Sequence, residues 1–161
     1  RTFMIAVMPL LIWAVPVCFA LHVVEEFFLP GGFMPWYHQF RPWRAQATPR
    51  YYLKVNGIVL LIAIVVAATA GTDGTGNEGV LIVTGALTSN VLLTHVWGAL
   101  ATRRYSPGMV TGLVLILPLT IGVWALTIGV GRTEPIAFLV AAVVSPLKEI
   151  HAARPPAKDR S

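Results

Sequence analysis

An all-α polytopic membrane helix bundle with five transmembrane helices, or four if the last apolar run does not cross, is the fold class this sequence predicts. Three observations lead there. Hydrophobic residues make up 56% of the 161 residues against 12% charged, and mean hydropathy is +0.72, more apolar surface than a soluble domain of this length needs. The apolar residues fall in uncharged runs, most of them long enough to cross a hydrocarbon core of about 30 Å. The cations lie in short clusters beside those runs. Despite a net charge of +5, that is the pattern of membrane topology and not of a nucleic-acid footprint.

The first apolar segment covers 3–28. From Met4 to Leu21 it carries no charge, Pro9 and Pro16 are expected to kink it, and it closes on His22-Val23-Val24-Glu25-Glu26. The loop 30–50 mixes Trp36, Tyr37, His38 and Trp43 with Arg41, Arg44 and Arg50. Aromatics interleaved with arginines suit a headgroup-level segment, such as a short interfacial helix. The second segment, 52–71, leads into the Gly-rich turn GTDGTGNEG. The third, 79–102, carries Asn90 and His95 in an otherwise apolar helix whose Gly85, Ala86 and Ser89 permit close helix approach. The fourth, 109–130, contains Pro118. The fifth, 134–150, is uncharged only from Pro135 to Leu147, short for a full span.

Residues 1–151 are thus expected to form one transmembrane domain, and the polar tail 152–161 to be disordered. The single cysteine, Cys18, lies inside the first run and allows no internal disulfide. The chain begins at Arg1 and not at Met, which points to a start that lies upstream or was processed. A cleaved signal peptide fits poorly, because the first run exceeds an ordinary apolar core and leads directly into the His/Glu cluster.

Orientation follows from the cations. The 30–50 loop holds Arg41, Arg44 and Arg50, with Lys54 just beyond, and the 103–108 turn holds Arg103 and Arg104. The C-terminal end holds Lys148, Arg154, Lys158 and Arg160, whereas the 71–79 loop holds none. Loops one and three and the C-terminus are therefore expected in the cytoplasm and the N-terminus outside. This alternation requires the fifth segment to cross.

On a helix, positions i, i+3 and i+4 share a face, so His22, Glu25 and Glu26 are expected to point the same way. Ionisable groups at membrane depth are costly and face a bundle interior, which makes them functional candidates. The topology brings others to the same layer. His95 lies roughly 24 Å below Gly79 at 1.5 Å per residue, close to the depth of His22. Asn56 sits one turn into the second helix, and Glu149 and His151 end the fifth. Cys18, His22 and Glu26 form an i, i+4, i+8 row of metal-ligating types. Thr84, Thr88 and His95 share a stripe of the third helix, with Asn90 on an adjacent face and best read as an interhelical hydrogen bond. Arg103, Arg104 and Tyr105 read as headgroup anchors.

His22-Val23-Val24-Glu25-Glu26, Asn90 followed by His95, and the turn Arg103-Arg104-Tyr105-Ser106-Pro107-Gly108 opening Met109-Val110-Thr111 together resemble the HXXEE family of small bacterial integral membrane proteins. The resemblance runs from about Leu21 to the end of the fourth helix. It implies a protein of the bacterial cytoplasmic membrane, suspected of enzymatic activity at these His and Glu residues.

The expected metal ligands are His22, Glu25, Glu26 and His95, with Glu25, Glu26 and His95 as catalytic candidates. Asn56, Asn90, Glu149, His151, His38 and Cys18 form a second tier. The favoured function is a metal-dependent enzyme acting on a lipophilic substrate at the inner leaflet, using zinc, or iron or manganese. No nucleotide cofactor and no nucleic-acid partner are expected; the partners are the bilayer and a lipophilic small molecule. Two alternatives stand beside it. One is metal-free acid/base isomerisation, cyclisation or hydrolysis of a lipid or terpenoid. The other is a non-enzymatic accessory subunit of a membrane complex. A carrier fits poorly, since the outer halves of the helices are nearly bare of polar groups.

Overall fold

A run of apolar residues satisfies its backbone in lipid only as a helix or a closed barrel, and the four runs among the described residues are helical. The computed structural model describes residues 2–29, 32–46, 48–71, 77–130 and 147. Among these there are five helices and no strand. They are α1 (Thr2–Phe28), α2 (Phe33–Phe40), α3 (Pro49–Thr69), α4 (Asn77–Thr102) and α5, which starts at Met109–Thr111 and continues through Leu117–Val130. Four of them, α1, α3, α4 and α5, are long and apolar enough to cross a membrane, matching the first four expected segments within a few residues. The expected fifth segment, with Glu149 and His151, and the tail fall outside the described residues, apart from Leu147.

Local sequence explains most of the boundaries. Thr48 caps α3 by accepting from the Tyr51 N–H at 3.3 Å, and Pro49 occupies the first helical position. Between α1 and α3 the aromatic loop does fold as a short helix, α2, followed by a tight turn at Pro42–Arg44. α4 ends on Arg103 with φ +52, a left-handed residue that stops the helix without glycine. Helix α1 runs unbroken through Pro9 and Pro16.

Two turns are wider than α-helical. Val91–Val96 in α4 and Gly112–Ile116 in α5 close as π-helical turns. The second lies directly before Pro118, whose ring would strike the carbonyl four residues back in a regular helix. Opening the turn there makes room.

Inside a bilayer apolar burial does not drive helices together, so close packing and interhelical hydrogen bonds must. Met8, Ile12, Val15 and Phe19 of α1 form a buried stripe against Ala63 and Ala67 of α3, Leu81, Leu87 and Val91 of α4, and Ile116 and Val123 of α5. Leu10, Trp13, Val17 and Leu21 on the opposite side of α1 are exposed, as lipid-facing residues should be. Polar links join α4 to α5: Thr88 donates to Thr120 at 2.8 Å, and the Trp124 indole N–H donates to Thr84 at 3.0 Å. The threonine stripe of α4 therefore serves helix pairing and not the His95 layer.

Helix α2 docks by its aromatic face. Phe33, Met34, Trp36 and Tyr37 are buried. The Trp36 indole donates to Thr102 at 3.2 Å, and Arg41, expected at the headgroups, is buried with its guanidinium on the Tyr37 hydroxyl at 3.1 Å. The Trp36 ring crosses α4 at Gly98 so closely that a Cβ there would lie 2.6 Å from a ring carbon. Gly98→Ala should therefore displace α2 and cost about 1–3 kcal/mol of stability. Hydrogen exchange over 33–40 should accelerate while α1 and α5 stay protected.

Candidate functional site

Glycine at an N-cap offers no side-chain acceptor for the first free N–H groups of a helix. Helix α5 begins this way, at Gly108 with φ +95. The missing acceptor comes from another helix. Glu25 of α1 accepts from the Val110 N–H at 3.1 Å and from the Thr111 N–H at 2.7 Å, and the hydroxyls of Thr111 and Tyr105 donate to the same carboxylate. A carboxylate at a helix N-terminus is further favoured by the helix dipole. Glu25, expected as a metal ligand and catalytic group, is thus occupied by four donors as the cap of α5.

One residue on, Glu26 points elsewhere, because successive residues are separated by 100° around the helix. It meets His22 from its own helix and His95 from α4. His22, Glu26 and His95 are all buried, and one ligand-type atom from each lies within 4.8 Å of the others. The two imidazoles meet edge to face, with centroids 5.0 Å apart. A tetrahedral centre with ligands at about 2.1 Å would hold them roughly 3.4 Å apart, which small side-chain rotations can reach. This is the only such group of three among the described residues.

Each member is held from behind. His22 Nδ1 lies 3.1 Å from the Thr111 hydroxyl, His95 Nδ1 lies 3.0 Å from the Ser106 hydroxyl, and Glu26 Oε2 accepts from the Asn56 amide at 3.1 Å. His95 Nε2 stands 3.2 Å from Glu26 Oε1. His22 Nε2 is buried with no hydrogen-bond partner. Metal-binding histidines show this arrangement, with one ring nitrogen fixed by an outer partner and the other turned inward.

Asn90 enters through the π turn. In a regular helix residues five apart diverge by about 140°; the widened turn at Val91–Val96 brings the Asn90 amide to 3.3 Å from His95 Nε2. The expected interhelical role of Asn90 is corrected to a bond within α4. Asn56, from the second tier, is the partner of Glu26. Cys18 and His38 are both half-buried and outside the group of three.

Sequence reasoning missed the walls. Trp36 stacks on His95 at 6.2 Å and 12°, Phe33 approaches it at 5.9 Å, and Phe19 stacks on His22 at 6.2 Å. Gly108 closes the remaining side: a Cβ there would stand 2.8 Å from Cε1 of both imidazoles and 2.9 Å from Glu26 Cγ. Tyr105, expected at the headgroups, turns its hydroxyl to Glu25. Partial burial, reinforced by that carboxylate, pushes its pKa up from 10.0 to about 12.

Residues 13–124, well over half of the chain, match the family described as proteins of unknown function with an HXXEE motif. No curated protein and no solved structure matches the chain.

Two outcomes are expected. Gly108→Ala combines a strained φ with contact on three site residues, and should lower stability by about 2–4 kcal/mol, measured by denaturant unfolding in detergent. Tyr105 has a raised folded pKa, so its contribution is full below pH 10 and is lost as pH rises through about 12. Tyr105→Phe should cost about 1–2 kcal/mol at neutral pH, and its stability should fall less steeply than the wild type's between those two pH values.

Proposed function

We propose, for a chain that belongs to the HXXEE family of proteins of unknown function, that His22, Glu26 and His95 bind one divalent metal ion and that the centre serves an enzyme acting on a lipophilic substrate. The observation that carries this reading is the buried group of three ligand-type atoms within 4.8 Å of one another. His22 Nε2 is buried and without a partner, Glu26 Oε1 is a carboxylate oxygen, and His95 Nε2 stands against it at 3.2 Å. Converging lone pairs in an apolar layer repel unless a cation lies among them. Two imidazoles and one carboxylate suit zinc, and equally iron or manganese, with a coordination position left for substrate or water.

A divalent cation held there supplies Lewis acidity toward a carbonyl, phosphoryl or water oxygen. The chain's own residues provide the rest. Asn56, Ser106 and Thr111 orient the three ligands, while Phe19, Phe33, Trp36 and Gly108 exclude bulk water and so strengthen electrostatic interactions inside. Glu25 is saturated by donors and takes no part as a base.

The integral membrane character rests on the four candidate spans. Arg41, Arg44, Arg50, Lys54, Arg103 and Arg104 lie in or beside the loops at the end of the bundle that holds the site, which supports an inner-leaflet position by the positive-inside rule. A substrate reaching that layer between the spans would be a lipid or another lipophilic molecule.

A second reading has one observation in its favour. The 3.2 Å contact between His95 Nε2 and Glu26 Oε1 is also a good distance for a shared proton, so the pair could exchange a proton with a lipid or terpenoid without metal.

Elemental analysis of protein purified gently without chelators separates the two. One equivalent of metal per chain is expected, lost in His22→Ala, Glu26→Gln and His95→Ala and retained at lower affinity in Glu25→Gln. Absence of stoichiometric metal in the wild type removes the metal reading and leaves the acid/base pair.

A further inference from the structure

We infer that Thr111 is the positioning residue that locks His22 in its Nδ1–H tautomer and thereby leaves a bare Nε2 facing Glu26 and His95. Thr111 has one hydroxyl hydrogen and two oxygen acceptors in reach, a carboxylate oxygen of Glu25 and the Gly108 carbonyl, the latter at 3.5 Å. Glu25 is an ionised acceptor, its contact with the hydroxyl is the shorter one, and charge-assisted bonds are the stronger. The hydrogen therefore goes to Glu25. What Thr111 has left for His22 is lone-pair density, and at 3.1 Å from that oxygen His22 Nδ1 must be the donor.

A neutral imidazole carries one N–H, so Nε2 is then unprotonated. The burial pattern agrees. His22 is 1% exposed and its Nε2 has no hydrogen-bond partner. Either the opposite tautomer or a doubly protonated ring would leave a buried N–H at Nε2 with no acceptor within hydrogen-bond distance, while the opposite tautomer would also set two lone pairs against each other at Nδ1. His95 lacks this constraint. Its Nε2 has both Asn90 and Glu26 in reach, and its Nδ1 partner is a serine hydroxyl that can donate or accept.

Glu25, Thr111 and His22 thus form a relay in which the cap of α5 sets the chemical form of a ring on α1. The tautomer stands on hydrogen-bond geometry alone; its consequence, a pre-set metal ligand, rests on the metal centre proposed above. Loss of such an outer partner typically weakens metal affinity about 10- to 100-fold.

The test uses the full chain labelled with [15N]histidine, treated with chelator and placed in lipid nanodiscs. His22 signals are assigned by their absence from His22→Ala, and long-range 1H–15N correlations report which nitrogen carries the proton. The wild type should show Nδ1–H and a bare Nε2. Thr111→Val should move His22 toward Nε2–H, and its affinity for added zinc should fall about 10- to 100-fold. Thr111→Ser should restore both. An Nε2–H ring in the wild type, or an unchanged tautomer in a folded Thr111→Val, overturns the inference. If Thr111→Val does not fold, the wild-type and Thr111→Ser spectra decide by themselves. If the wild type is Nδ1–H and binds no zinc, the metal reading falls and the positioning role of Thr111 stands.

Discussion

The carboxylate of Glu25 on the N-terminus of α5 is the contact from which the rest of the site follows. Helix α5 starts at a glycine that offers no side-chain acceptor to its first N–H groups. Glu25 supplies the acceptor from α1 and takes the Tyr105 hydroxyl as well. An interaction between two spans far apart in sequence thereby fixes where the 103–108 turn lies. Once that turn is in place, Gly108 rests against both imidazoles, Ser106 reaches His95, and Thr111 reaches His22. Removing the carboxylate would strand two backbone donors and loosen every one of these contacts.

Adjacent glutamates with unlike duties are a direct consequence of helical geometry. Residues 100° apart on a helix between two neighbours face different ones. Glu25 addresses α5, and Glu26 addresses α3 through Asn56 and α4 through His95. The i, i+3, i+4 rule places both glutamates on the broad face of His22, which is correct as far as it goes. It does not resolve which of them completes the group of three.

The site is also a place where regular structure gives way. The π turn at Val91–Val96 adds a residue to the helical circuit just where His95 needs Asn90 beside it. Such turns recur at functional sites because they re-aim side chains without breaking the backbone hydrogen-bond ladder. Around it, α2 acts as an aromatic cover, held by the Trp36–Thr102 bond and by a buried Arg41 whose guanidinium donates to the Thr94 hydroxyl of α4 at 3.5 Å. A guanidinium buried among Tyr37, Phe40 and Thr94 is satisfied by the protein and not by solvent.

Hydropathy and the length of each uncharged run were enough to read the four described spans, because lipid leaves a long apolar segment little choice but to be a helix. The short helix between α1 and α3 was legible from aromatics alternating with arginines. His22, Glu26 and His95 were legible as partners because helix rise converts sequence position into depth, and ionisable groups at equal depth seek one another. The sequence could not assign Glu25 to the cap of α5, bring Asn90 round to His95, bury Arg41, or give Thr111, Ser106 and Gly108 their places beside the imidazoles. Those assignments depend on how helices are rotated about their axes and how closely they approach. Rotation and approach are settled by contacts between spans, which no single run of residues contains.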